Sequence, residues 1–526
     1  MSIKEGQKFT VSDVIDSLGI NKFTWIMFVF LGFAMIFDGY DFMVASQTTS
    51  GVAYTLQHFL SGSNPVDGSI AVVAASAKDP SVGAASLGAL GSSISTWSLL
   101  GMVIGGALGG IISDKIGRKK TLTIAIIFYG LFTLPQAYCT DFTFYAATRV
   151  IAGLGVGSCI PVVTTCFSET IPSKNRGIFV TFGMAFMVVG WVLAGVVVTT
   201  LNSISDPIAI PFASAAMSET FSLTGADGLQ TPAMTQNWRV GYLIGALPVI
   251  YGVLLGIFMK ETPHWYANSG QKDKAIERLN DLVKQSGIDI GAKLEAENLV
   301  VPPKVASANP KVLFTKKFIV ATAAIWTMYF IGQVFVYGLN PWMIPMMTGF
   351  GYSSTDASAM QTFNNVAAIC SNVTVGFLSD KFGRKRTLVF AWLFTALAVV
   401  VFALTVGPDK FAYCMFLFFF IGFAMNFAIT GVQPLMPESY PTQVRNTGVS
   451  WCQAFARFGG AAAPIVFAAI TATAAFKTAE GGADWNKIMF LLLIPAAIGV
   501  ICTIVFVRKE TSGKDLDTLV TEAVKS

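Results

Sequence analysis

The chain has 526 residues, 53% of them hydrophobic and 12% charged, with a net charge of +5 and a mean hydropathy of +0.62. Soluble domains carry about a quarter charged residues, so this depletion argues against an ordinary soluble globule and for a membrane protein. The seven cysteines are scattered with no CxxC pair, and the two histidines, His58 and His264, fall outside the apolar runs. A zinc centre, a disulfide framework and a His-dependent hydrolase are therefore not expected.

Residues 1–22 are polar, and the apolar run that follows is too long for a cleavable leader. Apolar stretches then recur at 23–46, 90–112, 121–140, 143–166, 178–200, 239–259, 318–340, 357–378, 388–406, 411–432, 447–474 and 486–507. Each is about the ~20 residues that a bilayer-spanning helix needs, so an all-α membrane protein with twelve crossings is expected. Cations gather in "SDKIGRKK" (113–120), "SKNRG" (173–177), the 260–317 segment, "SDKFGRKR" (379–386) and the tail, whereas 201–238 and 341–360 contain no Lys or Arg. The positive-inside rule places both termini in the cytoplasm, with the cytoplasmic (inner) membrane as the expected location. These short basic runs lie between hydrophobic spans, so nucleic acid is not an expected partner.

An internal repeat divides the chain. "GIISDKIGRKKTL" (110–122) follows the second span and "GFLSDKFGRKRTL" (376–388) follows the eighth. The same loop at equivalent positions implies two pseudo-symmetric six-helix bundles, related by an axis along the membrane normal. The expected division is a cytoplasmic segment 1–22, a bundle 23–259, a linker 260–317, a second bundle 318–507 and a tail 508–526. Within the linker, "QKDKAIERLNDLVKQSG" has helical spacing and mixed charge, as a cytoplasmic helix would.

The repeated loop resembles the signature of the major facilitator superfamily, which implies gating loops carried by Gly110, Asp114, Gly117 and Arg118 and by Gly376, Asp380, Gly383 and Arg384. Close-packing glycines at 109, 110 and 376 would let helices slide together. "FDGYD" (37–41), "RVIAGLGVGSCIPVVTTCFSETIPSKNRG" (149–177), "KETPHWYANSGQ" (260–271) and "PESYPTQVRNTGVSW...ARFGG" (437–460) are similar to the aromatic acid/proton symporter family. Glu169, Arg176, Glu438 and Arg445, inside these stretches, are expected to form a cytoplasmic charge network. The resemblance implies proton-coupled uptake of a small organic, expectedly aromatic, acid by alternating access. Carriage of a sugar, an organic cation, phosphate or a drug is the alternative. The expected partners are that organic anion and the bilayer. No cofactor beyond the proton is expected, nor an enzymatic activity, and a monomer suffices.

Four charges inside apolar spans carry the chemistry. A charge at mid-bilayer costs ~2.5–3.5 kcal/mol on insertion scales, so Asp38 and Asp41 need a partner, a wet cavity or a proton. Burial favours the protonated form of a carboxyl and a nearby cation favours the ionised form, so a site whose surroundings change between two states acts as a proton switch. Asp38 lies ~22 Å from the inner end of its helix and Arg149 ~9 Å below the outer end of its own, at ~1.5 Å per residue, which brings them to similar depth. Proton coupling by Asp38, Asp41 and Arg149 is one reading, and a static pair holding two helices together is the other. Arg457 is shaped to take an organic carboxylate in a two-pronged hydrogen bond, with capture by backbone carbonyls as the alternative. Tyr329, Gln333, Tyr337 and Asn340 in the seventh span and Asn364 and Asn365 in the eighth are candidates to line a cavity for a planar anion, or else to bond between helices.

Overall fold

The structure is a computed structural model that describes residues 8–48, 51–52, 55, 80–172, 176–212, 217, 235–288, 294–300, 314, 319–408, 410–433, 435–439, 445–477 and 483–506. Its regular secondary structure among these residues is helical, apart from two isolated bridges. In chain order the helices are α1 (Val11–Leu18), α2 (Lys22–Gln47), α3 (Pro80–Ile116), α4 (Arg118–Thr133), α5 (Phe142–Thr170), α6 (Arg176–Ser203), α7 (Trp238–Gly245) and α8 (Pro248–Phe258). The linker adds α9 (Pro263–Asn268) and α10 (Lys272–Ser286). Then come α11 (Ile319–Gly349), α12 (Ser354–Phe382), α13 (Arg384–Thr405), α14 (Phe411–Val432), α15 (Leu435–Glu438), α16 (Arg445–Ala472), α17 (Trp485–Phe490) and α18 (Leu493–Phe506).

Ten helical stretches among the described residues are long and apolar enough to cross a membrane, so the chain is a multi-pass membrane protein. The two remaining expected spans are also helical. In α3 the apolar stretch is Trp97–Ser113, shorter than the rest. In α12 the run is diluted by Gln361, Asn364, Asn365 and Asn372, which trade hydropathy for hydrogen-bonding edges. Large apolar side chains face outward along the helices, among them Ile250, Ile257, Phe390, Leu397 and Leu404. Lipid accepts a surface of this kind, because a helix bonds most of its backbone groups internally.

Local chemistry sets the helix ends. Asn21 opens α2 by accepting from Thr24 N at 3.0 Å in a capping box, and Thr48 closes it by donating to Val44 O at 2.7 Å. In α5, Pro161 has no N–H and so frees the carbonyl of Gly157, four residues earlier. Glycines of α3 and α5 then let these helices touch backbone to backbone: Gly101 lies against Val150, Gly105 against Leu154, and Gly157 against Met102. The expected packing glycines divide, since Gly109 lies against Ser158 whereas a side chain at Gly110 would meet open space.

Helix pairs recur along the chain. α2 packs along α6 and α3 along α5, as α11 does along α16 and α12 along α14; α3 also meets α16, and α6 meets α12. A second, separate apolar cluster joins α1 to the linker, where Val14, Ile15 and Leu18 pack with Ala275, Leu279 and Leu282. Phe9 pairs with the segment beyond α10, donating to Asn298 O at 3.1 Å and accepting from Val300 N at 2.9 Å. Residues 9–18 and the described part of the linker are thus one small module on the face that carries the basic loops, here called the basic face.

Candidate functional site

At membrane depth, five helical segments meet around one ion pair. Arg149 of α5 is fully buried and donates from Nη1 to Asp41 Oδ2 at 3.2 Å and Oδ1 at 3.4 Å, and from Nη2 to Asp41 O at 3.2 Å. It also reaches Gln136 Oε1 at 3.2 Å and Ser98 Oγ at 3.3 Å. Thr133 donates to Asp41 Oδ1 at 2.7 Å. Asp41, 1% exposed, therefore has a dedicated cation and a hydroxyl donor. The partner of Arg149 is Asp41, one turn further along α2 than the depth argument placed it. Beside it runs a chain of hydroxyls from Tyr145 to Tyr242 (2.6 Å) to Thr48 (3.1 Å).

Asp38 sits one turn away in a different setting. It is 2% exposed, and its Oδ1 has no hydrogen-bond partner among the described residues. Phe42, one turn along α2, belongs to a group of aromatic rings from both parts of the chain: Phe42 and Tyr337 meet edge-to-face at 4.9 Å, and Trp191 lies 6.3 Å from Tyr337 and 6.5 Å from Phe42. The indole Nε1 of Trp191 also lacks a partner among the described residues. Across this group, Arg457 of α16 donates to Met102 O at 3.0 Å and Gly157 O at 3.5 Å. The second of these is the carbonyl that Pro161 leaves free. Arg457 thus ties α16 to α3 and α5 through weak, neutral acceptors.

The other expected lining residues separate into two groups. Asn364 Nδ2 donates to Phe418 O at 3.0 Å and presses on Gly422, which makes it a strut between α12 and α14. Asn340 donates to Val336 O in its own helix at 2.8 Å and accepts from Gln361 at 3.4 Å. Asn365 is 1% exposed with neither side-chain polar atom bonded, and Gln333 Oε1 is likewise unbonded among the described residues. Tyr329 and Tyr337 are buried.

On the basic face the repeated loops share one conformation. Gly117 (φ 106°, ψ 158°) and Gly383 (φ 91°, ψ 158°) both sit in the region open to glycine, immediately before a helix. The following arginine reaches back in each: Arg118 Nη1 to Ser113 O at 2.9 Å, and Arg384 Nη1 to Ser379 Oγ at 2.7 Å. Arg118 also donates to Glu169 Oε1 from Nε at 3.2 Å and from Nη2 at 3.1 Å. Neither glycine has a side chain to cap its helix. For α4 the cap comes from the linker, where Glu261 accepts from the backbone N–H of Arg118 at 3.0 Å and of Lys119 at 3.2 Å. Thr262 donates to Glu169 Oε2 and so links the two acids. Burial pushes the Glu261 carboxyl above its usual range, and the backbone N–H groups offset part of that rise. The side chains of Asp114, Arg176, Asp380, Glu438 and Arg445 lie outside the described ones, and Gly376 is half-buried in α12.

Sequence reasoning did not single out Ser98, Thr133, Gln136, Phe42, Trp191, Gln361 or Glu261. Neutral polar and aromatic residues in apolar runs carry no periodic signal, and a cap supplied from a distant segment leaves no local pattern. Among the described residues, no group of three or more His, Cys, Asp or Glu is placed to hold a metal ion.

Comparison with known proteins adds the lineage. Residues 25–522 match the family model described as sugar (and other) transporter. A niacin transporter of Acinetobacter baylyi is 27% identical, over 80% of this chain and 85% of the relative. A 4-hydroxybenzoate transporter of Pseudomonas putida is 27% identical, over 78% and 82%, and a gallate transporter of the same species is 24% identical, over 85% and 86%. Among solved structures, a D-xylose–proton symporter superimposes with a TM-score of 0.63 at 18% identity, covering 94% of this chain and all of that one.

Proposed function

We propose, for a chain that belongs to the sugar (and other) transporter family and has the major facilitator fold, that it imports a small aromatic carboxylic acid together with protons. Family membership makes it a transporter rather than an enzyme. The observation that carries the coupling is the contrast within α2: Asp41 is held by Arg149 and Thr133, and Asp38, one turn away, is buried with Oδ1 unbonded. A buried carboxylate with an unbonded oxygen is costly, and a proton removes much of that cost. Asp38 is the proton carrier in this reading, and Asp41–Arg149 is the fixed frame that positions it. The relatives named for niacin, 4-hydroxybenzoate and gallate support a planar aromatic acid as the substrate.

The organisation behind the cycle is twelve crossings in two bundles, 23–259 and 318–507, joined by the linker 260–317. The basic face is cytoplasmic, the location is the inner membrane, and the monomer is sufficient. In the cycle, Asp38 takes a proton from outside and the substrate carboxylate takes Arg457 from the carbonyls of Met102 and Gly157. Those bonds hold α16 to α3 and α5, so exchanging them for a ligand loosens the seam between the bundles. The aromatic ring of the acid rests among Phe42, Trp191 and Tyr337. The bundles then rock, with the Gly117 and Gly383 loops parting on the basic face, and the proton and acid leave. Proteoliposomes test this directly. Acid-stimulated accumulation of labelled 4-hydroxybenzoate is expected in the parent and lost in Asp38→Asn, with counterflow retained; proton-driven accumulation by Asp38→Asn would refute the assignment.

A further inference from the structure

A partly open cavity lies on the basic face, far from the membrane-depth charges. It is enclosed by α1, the first turns of α2 and the linker helix α10, and its walls include Ile15, Phe23, Thr24, Lys260, Arg278 and Leu282. Arg278 is only 7% exposed and its guanidinium lies over the Phe23 ring at 5.3 Å. Neither Nε nor Nη1 has a hydrogen-bond partner among the described residues. Nη1 approaches Asp281 Oδ2 at 3.6 Å, an ion-pair distance too long for a hydrogen bond. Asp281 gives its close contact to Lys260 instead, at 2.9 Å.

The carboxylates on the far wall, Glu169 and Glu261, are already occupied by Arg118, Thr262 and the backbone N–H groups that open α4. What the cavity leaves unsatisfied is donors, so the missing group is an acceptor with negative charge. Its depth narrows the source. Lys22 begins α2, and Trp25 in the next turn is 52% exposed, as a tryptophan at a membrane–water boundary is.

We propose that this cavity binds an anionic phosphate group through Arg278 and Lys260, supplied by an acidic headgroup of the adjoining leaflet or by a free phosphate ion. An occupant there links α10 to the first turn of α2, the helix that carries Asp38 and Asp41. The site is independent of the proposed substrate.

Calorimetric titration of the purified full chain tests it, with dihexanoyl phosphatidylglycerol, dihexanoyl phosphatidylcholine, inorganic phosphate and chloride as probes. An anionic phosphate probe is expected to bind at least about tenfold tighter than phosphatidylcholine or chloride, and Arg278→Gln to remove about that factor. Lys260→Gln, at an exposed position, should cost about threefold. Asp281→Asn should strengthen binding about two- to threefold by releasing both cations, a gain that damage to the fold does not mimic. Binding of phosphatidylglycerol without phosphate assigns the leaflet as the source, and binding of phosphate alone assigns the cytosol. Equal binding of all four probes, or parent-like affinities in both Arg278→Gln and Asp281→Asn, overturns the site.

Discussion

Asp38 and Asp41 lie on the same face of α2, a single turn apart, equally buried, yet one is fully engaged and the other is not. Asp41 is bonded to a cation and a threonine hydroxyl, and beyond them a glutamine and a serine are bonded to the same guanidinium. Around Asp38 the neighbours are rings and an arginine bonded elsewhere. The contrast teaches that burial alone does not make a switch. A carboxylate locked to its own cation by several hydrogen bonds resists change, whereas in the proposed cycle Asp38, with one oxygen unbonded among the described residues and the nearby Arg457 bonded to carbonyls, is the group that changes state.

Four substitutions bear on that contrast, in falling order of effect. Asp38→Asn should abolish proton-driven accumulation, a loss of at least about a hundredfold, with substrate exchange largely kept, as carriers lacking only their coupling group behave. Asp41→Asn should instead destabilise the protein by about 3–5 kcal/mol, because it strands a buried guanidinium; the double variant Asp41→Asn/Arg149→Gln should recover part of that loss. Thermal unfolding in detergent reads both, and equal damage from the single and double variants would dissolve the distinction between frame and carrier. Arg457→Lys should weaken acid binding by about 10- to 100-fold with normal membrane insertion, since an ammonium lacks the planar fork. Unchanged affinity in a binding assay would place the carboxylate elsewhere.

The smallest effect lies on the basic face. Because the Glu261 carboxyl is shifted upward on folding, the folded protein holds that proton to higher pH than the unfolded chain does. Stability should therefore fall as pH rises from the unfolded carboxyl value through the raised folded one. Glu261→Gln should flatten that segment of the profile and leave the protein at least as stable as the parent at neutral pH, because the amide is neutral and its oxygen still accepts from the N–H groups that open α4. A parent-like pH slope in the variant would remove Glu261 from the account.

Much of this architecture was legible beforehand because it rests on length and repetition. Bilayer thickness dictates the apolar runs, and the two Gly-Arg loops share φ and ψ because each needs a backbone turn that only glycine adopts easily. The linker helix follows its 3.6-residue pattern from Lys272 to Ser286 and stops at Gly287, which has φ 68°. The ion pair was located only to within a turn, since counting residues from helix ends carries an error of that size. Thr133 and Gln136, which fix the pair, come from the end of α4 and the 3-10 turn Leu134–Tyr138, and no pattern of spacing marks them. The capture of Arg457 was open between carbonyl and substrate. Pro161, by freeing Gly157 O, shows why a carbonyl is on offer.

The division of labour between the two aspartates is tested most directly by infrared difference spectra of the reconstituted protein, recorded as pH is cycled across the working range. The account predicts a carboxylic-acid C=O band that appears and vanishes with pH, survives Asp41→Asn, and is missing in Asp38→Asn. A band that persists in Asp38→Asn and disappears in Asp41→Asn would contradict it.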